Sequence, residues 1–160
     1  SVTAADFTYN TAAPRTLSLP AEALRSADGS QFLNVDLATG RAFFDNAITV
    51  GYMVAPLDLP HNATITGFDA TLRSALGVDP IQGLLIRRPV NGVGPSIVVA
   101  NLTTTGPVPI PTIIDALPFA PNLVNTNQFI YSVRFQCADW DGPNNNVYGF
   151  RIRYTVPAAD

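Results

Sequence analysis

Lysine is missing from this 160-residue chain, so all nine cations are arginine, and Glu22 is the only glutamate. Without lysine there is no Schiff-base amine and no phosphate-binding loop of the Walker type. Histidine and cysteine occur once each, as His61 and Cys137. A single cysteine excludes an intrachain disulfide and a Cys-based zinc site, leaving a buried thiol or an intermolecular bridge. A single histidine cannot form a His-x-x-x-His pair, and no Gly-x-Ser-x-Gly elbow is present to supply a nucleophile. Nothing in the sequence assembles a catalytic or cofactor site, so the expectation is a protein that is not an enzyme and carries no cofactor.

Charge is scarce as well: 13% of residues are charged against 47% hydrophobic, with a net charge of -3. Folded proteins average about 25% charged residues. An acidic balance argues against binding to a phosphate backbone, and the first 14 residues hold no basic side chain, so no nucleic-acid partner is expected. No apolar run is long enough to span a bilayer as a helix. The N-terminus lacks the basic start and apolar stretch of a signal peptide, so an export signal, if one is used, has been removed or lies elsewhere.

What is present is β-forming sequence. Pro and Gly punctuate segments rich in Val, Ile, Thr, Phe and Tyr. In 147–156, Tyr148, Phe150, Ile152, Tyr154 and Val156 alternate with Gly149, Arg151, Arg153 and Thr155; in 127–137, Phe129, Tyr131, Val133, Phe135 and Cys137 alternate with Gln128, Ser132, Arg134 and Gln136. Further strands are expected at 31–37, 48–54, 63–73, 83–88, 96–103 and 112–117, with a weaker one at 7–9 or 16–19. Only 20–25 reads as helical, at most two turns. About eight or nine short strands without long helices imply a single all-β domain over 1–160, an antiparallel β-sandwich of jelly-roll type, with 1–13 as an N-terminal arm. The proline-rich stretch 106–121 is expected as an edge strand or extended loop, because proline cannot donate to a ladder.

Matching apolar faces suggest that the last two strands pair as a hairpin across 138–146. Arg134 would then lie near Arg151 and Arg153 and form either a cluster for an acidic ligand or a plain solvated face. In the connecting loop, Asp139, Asp141 and Asn144 supply hard oxygens, so calcium is weighed against an ordinary hairpin loop. Trp140, in the same loop, is either a stacking platform for a sugar or a cap on the core. Asn62-Ala63-Thr64 and Asn101-Leu102-Thr103 match the N-glycosylation acceptor pattern, conditional on a glycosylating secretory route.

The run from Tyr52 to Phe68, with Ala55-Pro56-Leu57-Asp58-Leu59-Pro60-His61-Asn62-Ala63-Thr64-Ile65-Thr66-Gly67-Phe68 as its core, and the closing Val147-Tyr148-Gly149-Phe150-Arg151-Ile152-Arg153-Tyr154 resemble an uncharacterised β-rich domain of secreted bacterial proteins. Ala5-Asp6-Phe7 and Leu17-Ser18-Leu19-Pro20-Ala21 are similar to the start of such domains. The resemblance implies an exported, extracellular or cell-surface β-domain without assigned activity. Members often carry two cysteines, whereas this chain has only Cys137.

Three functions follow as expectations. The first is a non-enzymatic structural protein whose charge-poor surface packs against copies of itself in an extracellular layer, appendage, filament or particle shell. The arm 1–13 and the segment 106–121 are the pieces expected to reach a neighbour. The second is a carbohydrate-binding module of the β-sandwich type, using Trp140, Tyr148 or Tyr52. The third is a viral or phage capsid decoration or fibre protein.

Overall fold

The computed structural model describes residues 12–27, 33–44, 51–76, 79–120 and 122–157. They form two antiparallel sheets packed face to face, which makes the chain an all-β sandwich. The six-stranded sheet runs β3 (Leu33–Asp36), β4 (Arg41–Phe44), β11 (Asn145–Val156), β6 (Thr64–Ser74) and β9 (Val108–Ala116), and β1 (Ala13–Pro20) pairs along the far half of β11. The five-stranded sheet runs β2 (Arg25–Ser26), β5 (Gly51–Leu57), β10 (Phe129–Cys137), β7 (Gln82–Pro89) and β8 (Ile97–Thr103).

Side-chain alternation builds the core between the sheets. From β10, Tyr131, Val133, Phe135 and Cys137 point inward; from β11, Val147, Phe150 and Ile152; from β6, Phe68, Ala70 and Leu72. The Phe135 ring bridges the layers, with centroids 6.4 Å from Phe68 and 5.7 Å from Phe150. These offsets and tilted planes suit the quadrupoles of the rings.

The fold corrects three expectations. The last two strands do not pair. β10 lies between β5 and β7, while β11 pairs with β6, β4 and β1 in the opposite sheet. Their apolar faces match because both look into one core from opposite sides, and alternation alone cannot distinguish that from adjacency. Secondly, Tyr148 does not share the inner face of β11. The β6–β11 register shifts between Val147 and Gly149, and this bulge hands the inward position to Val147 and leaves Tyr148 half-buried outside the core. Thirdly, the helical segment shrinks to a 3-10 turn, Ala21–Ala23, which delivers Leu24 into the core before β2 begins. β4 (Arg41–Phe44) falls outside the strands expected from sequence.

The proline-rich stretch forms β9, an edge strand beside β6, as expected of a segment whose prolines cannot donate. Of the two weak N-terminal alternatives, 16–19 falls within β1, whereas 7–9 and residues 1–11 of the arm lie outside the described residues.

Candidate functional site

Pairing within the five-stranded sheet lines up its outward side chains in rows. One row runs Tyr52, Gln136, Gln82, Thr103; the next Val54, Arg134, Leu84, Asn101; the third Pro56, Ser132, Ile86. Ile130 and Arg88 stand opposite one another beyond that row. Leu84 and Ile86 face outward yet are only 5% and 6% exposed, so this face is recessed, with an apolar floor.

The recess is a groove of about 650 Å³ lined by Tyr52, Val54, Ile86, Arg88, Ser132 and Arg134, among others. It meets a second hollow of about 420 Å³ at Tyr52, where Gln82, Thr103 and Gln136 contribute. The larger volume lies within the roughly 300–1,000 Å³ typical of small-molecule sites. Polar groups are placed by neighbours. The Arg134 guanidinium carbon sits 4.9 Å from the centre of the Tyr52 ring, a cation–π contact that fixes ring and fork together. Gln136 Nε2 donates to Gln82 Oε1, and Arg88 Nε donates to Ser96 Oγ at 3.2 Å. Arg134 Nε is shielded from solvent and has no hydrogen-bond partner among the described residues. Aromatic ring, amides, a hydroxyl and guanidinium groups thus open into one apolar-floored groove, the mixture needed to stack on a sugar ring and bond to its hydroxyls.

Apart from Tyr52 and Arg134, the residues singled out from sequence lie outside the groove. Trp140 is fully buried: its ring meets Phe44 edge-on at 5.4 Å and Nε1–H donates to the Gly51 carbonyl at 2.9 Å. It caps the core and offers no exposed platform. Arg151 and Arg153 lie on the outer face of the six-stranded sheet, with the whole sandwich between them and Arg134, so the three do not form a cluster. Their partner is Asp69 on β6, a carboxylate with 6% of its side chain exposed; Arg151 Nε donates to it at 2.7 Å and Arg153 Nε stands 3.6 Å away. Arg153 also pairs with Asp115, which opposes Asp69 across β6 and β9. That guanidinium rests where a side chain at Gly67 would be, since a Cβ there would fall 2.5 Å from it.

In the loop after β10, polar groups are spent on the loop itself. Asn144 Nδ2 donates to Asp141 Oδ2 at 2.9 Å, and the Asp139 carbonyl accepts from Cys137 Sγ and Asn145 Nδ2. No group of three His, Cys, Asp or Glu side chains suited to a metal occurs among the described residues. Burial pushes the Cys137 thiol above its ordinary range. His61 Nδ1 accepts from the Thr126 backbone N–H at 3.2 Å in an exposed turn. Asn62 stands in that turn with φ 62°, and Asn101 is exposed on β8, in the row of Arg134.

Of the groove, Tyr52 and Arg134 were on the sequence's list of candidates; Gln82, Gln136, Arg88 and Ser132 were not. Their only signal is an outward position in an alternating strand, and it becomes informative once strand order brings four strands side by side.

No protein-family model and no curated protein sequence matches the chain. Among solved structures, the C-terminal CBM6 of LamC, a marine laminarinase from Zobellia galactanivorans, is similar at 16% identity and a TM-score of 0.49, over 86% of this chain and 98% of that one. A xylan-binding module, CBM15, is similar at 10% identity and a TM-score of 0.49, over 92% and 100%. Eiger TNF from S. frugiperda is similar at 10% identity and a TM-score of 0.38, over 96% and 90%. With all three TM-scores below 0.5, what those proteins bind does not transfer to this chain. Nothing in these likenesses supports assembly into a layer, filament or shell. No helix among the described residues is long and apolar enough to cross a membrane.

Proposed function

We propose that the chain is a non-catalytic carbohydrate-binding domain that seats a glycan in the groove on the outer face of its five-stranded sheet, and that it acts outside the cell, where such polymers occur. The observation that carries this reading is the placement of Tyr52 where an apolar-floored recess of about 650 Å³, lined by Ser132 and Arg134, meets a hollow of about 420 Å³ lined by Gln82 and Gln136. Stacking on the ring offsets the loss of water from the apolar face of a sugar, and the amides and hydroxyl replace water at its rim. Affinity electrophoresis through gels containing soluble polysaccharides is the test. At least one polymer is expected to retard the protein, and Tyr52→Ala to weaken that retention roughly ten-fold, the equivalent of losing about 1–2 kcal/mol of stacking. Free migration through every neutral and acidic polymer would overturn the reading.

A further inference from the structure

The groove has a charge of one sign, and that narrows its ligand. Over the whole chain acids outnumber bases, twelve to nine. Yet among the described residues that line the groove, the charged ones are Arg88 and Arg134, with no Asp or Glu. On the opposite face of the sandwich the arrangement is reversed: Arg151 and Arg153 are each matched with a carboxylate of the chain itself. A third arginine on the groove's face, Arg25 in the row of Val54 and Arg134, is turned back onto the carbonyls of Glu22 and Leu24. The acid nearest by register, Asp58, follows β5 past the end of the groove and does not line it.

Resting on the reading of the groove as a glycan site, we propose that its ligand is an anionic polysaccharide, with carboxylate or sulfate groups received by Arg134 and Arg88. Arg134 is held for this. One face of its guanidinium lies against Tyr52, Leu84 opposite it is nearly inaccessible to water, and no carboxylate among the described residues pairs with it. Neutral hydroxyls satisfy such a fork one bond at a time, whereas a carboxylate or sulfate takes two parallel N–H donors and balances the charge. The apolar floor lowers the local dielectric and strengthens that pairing.

Register sets the length of the ligand. Arg134 stands opposite Leu84, four residues from Arg88 on β7, so the two arginines are about 14 Å apart along and across the strands. The row of Ser132 and Ile86 lies between them, and Ile130 stands opposite Arg88. That separation between Cα atoms exceeds the length of one sugar ring, so the groove suits a charged oligomer laid along β10.

The experiment measures binding by calorimetry to polygalacturonate, to its methyl ester, to dextran sulfate and to dextran, each at low and high sodium chloride, with wild type, Arg134→Gln, Arg88→Gln and Arg88→Lys. An acidic polymer is expected to bind, with each glutamine variant roughly ten-fold weaker, Arg88→Lys partly restored, and salt reducing the affinity. Preference for polygalacturonate over dextran sulfate identifies carboxylate as the group recognised, and the reverse identifies sulfate. Arg88 is exposed, so its variants keep the test valid if Arg134→Gln fails to fold. Equal binding of polygalacturonate and its ester, or acidic-polymer binding untouched by both glutamine variants, overturns the inference. Binding to dextran or another neutral polymer alone also overturns it and leaves the glycan reading standing, whereas no binding to any polymer overturns both.

Discussion

Trp140 illustrates how one side chain can be assigned to the surface or the core by its loop. Its loop position, between two carboxylates and ahead of Gly142, admits both a sugar platform and a cap on the core, the cap being favoured. In the fold it is the largest of the fully buried side chains, closing one end of the sandwich against Phe44 and donating to Gly51 at the start of β5. Trp140→Ala is therefore expected to lower unfolding stability by about 3–5 kcal/mol. Trp140→Phe keeps most of the packing but orphans the buried Gly51 carbonyl, and should cost about 1–3 kcal/mol. Denaturant titration checks both values. If Trp140 were instead a sugar platform, Trp140→Ala would abolish glycan retention while leaving stability nearly unchanged. The hydrogen bond that decides between these roles spans 89 residues of sequence, so no local pattern could reveal it.

At the scale of strands, alternation was legible wherever a strand was long enough to show it. Inward positions of β10 from Tyr131 to Cys137 stand as the sequence implies, and 106–121 contains the edge strand that its prolines predict. What alternation cannot supply is pairing. β10 and β11 are consecutive and equally amphipathic, and only the sheet order shows that they face each other across the core. The candidate site suffered most from this, because the groove is a property of four adjacent strands from distant parts of the chain. Gly83 marks where those strands approach closely. It faces inward on β7, and a Cβ there would stand 2.8 Å from both Leu102 Cδ1 and Phe135 Cε1, two side chains that are themselves buried. Gly83→Ala is expected to overpack the core and destabilise the fold by about 1–3 kcal/mol, read as a lower thermal midpoint. Because the added methyl points away from the groove, glycan retention below that midpoint should persist. An unchanged midpoint would mean that Leu102 and Phe135 shift without cost.

Across the whole molecule, the few charges are divided between two faces in different ways. On the outer face of the six-stranded sheet, Arg151 and Arg153 are paired with carboxylates, while Arg73 donates to the carbonyls of Pro109 and Pro143. Asp69, almost wholly buried, is held by Arg151 and Arg153, and Arg153 also relieves the opposition of Asp69 to Asp115. Removing Arg151 leaves a buried carboxylate with its shortest hydrogen bond gone, and since the Arg151 side chain is 48% exposed, solvent screening limits the loss to about 1 kcal/mol. The outer face of the five-stranded sheet is open by contrast: Arg88 and Arg134 have no carboxylate among the described residues lining their groove, and the Tyr52 cation–π contact of Arg134 is worth only about 0.5–1 kcal/mol. Parallel measurements on Arg151→Gln and Arg134→Gln should therefore separate. The first is expected to unfold at lower denaturant concentration and to bind acidic glycan like wild type. The second should lose roughly ten-fold in glycan affinity with little change in stability, because its stacking partner Tyr52 and cross-strand neighbour Leu84 remain packed. If the two variants exchanged these effects, ligand binding would belong to the Asp69 face and the assignment of faces would be reversed.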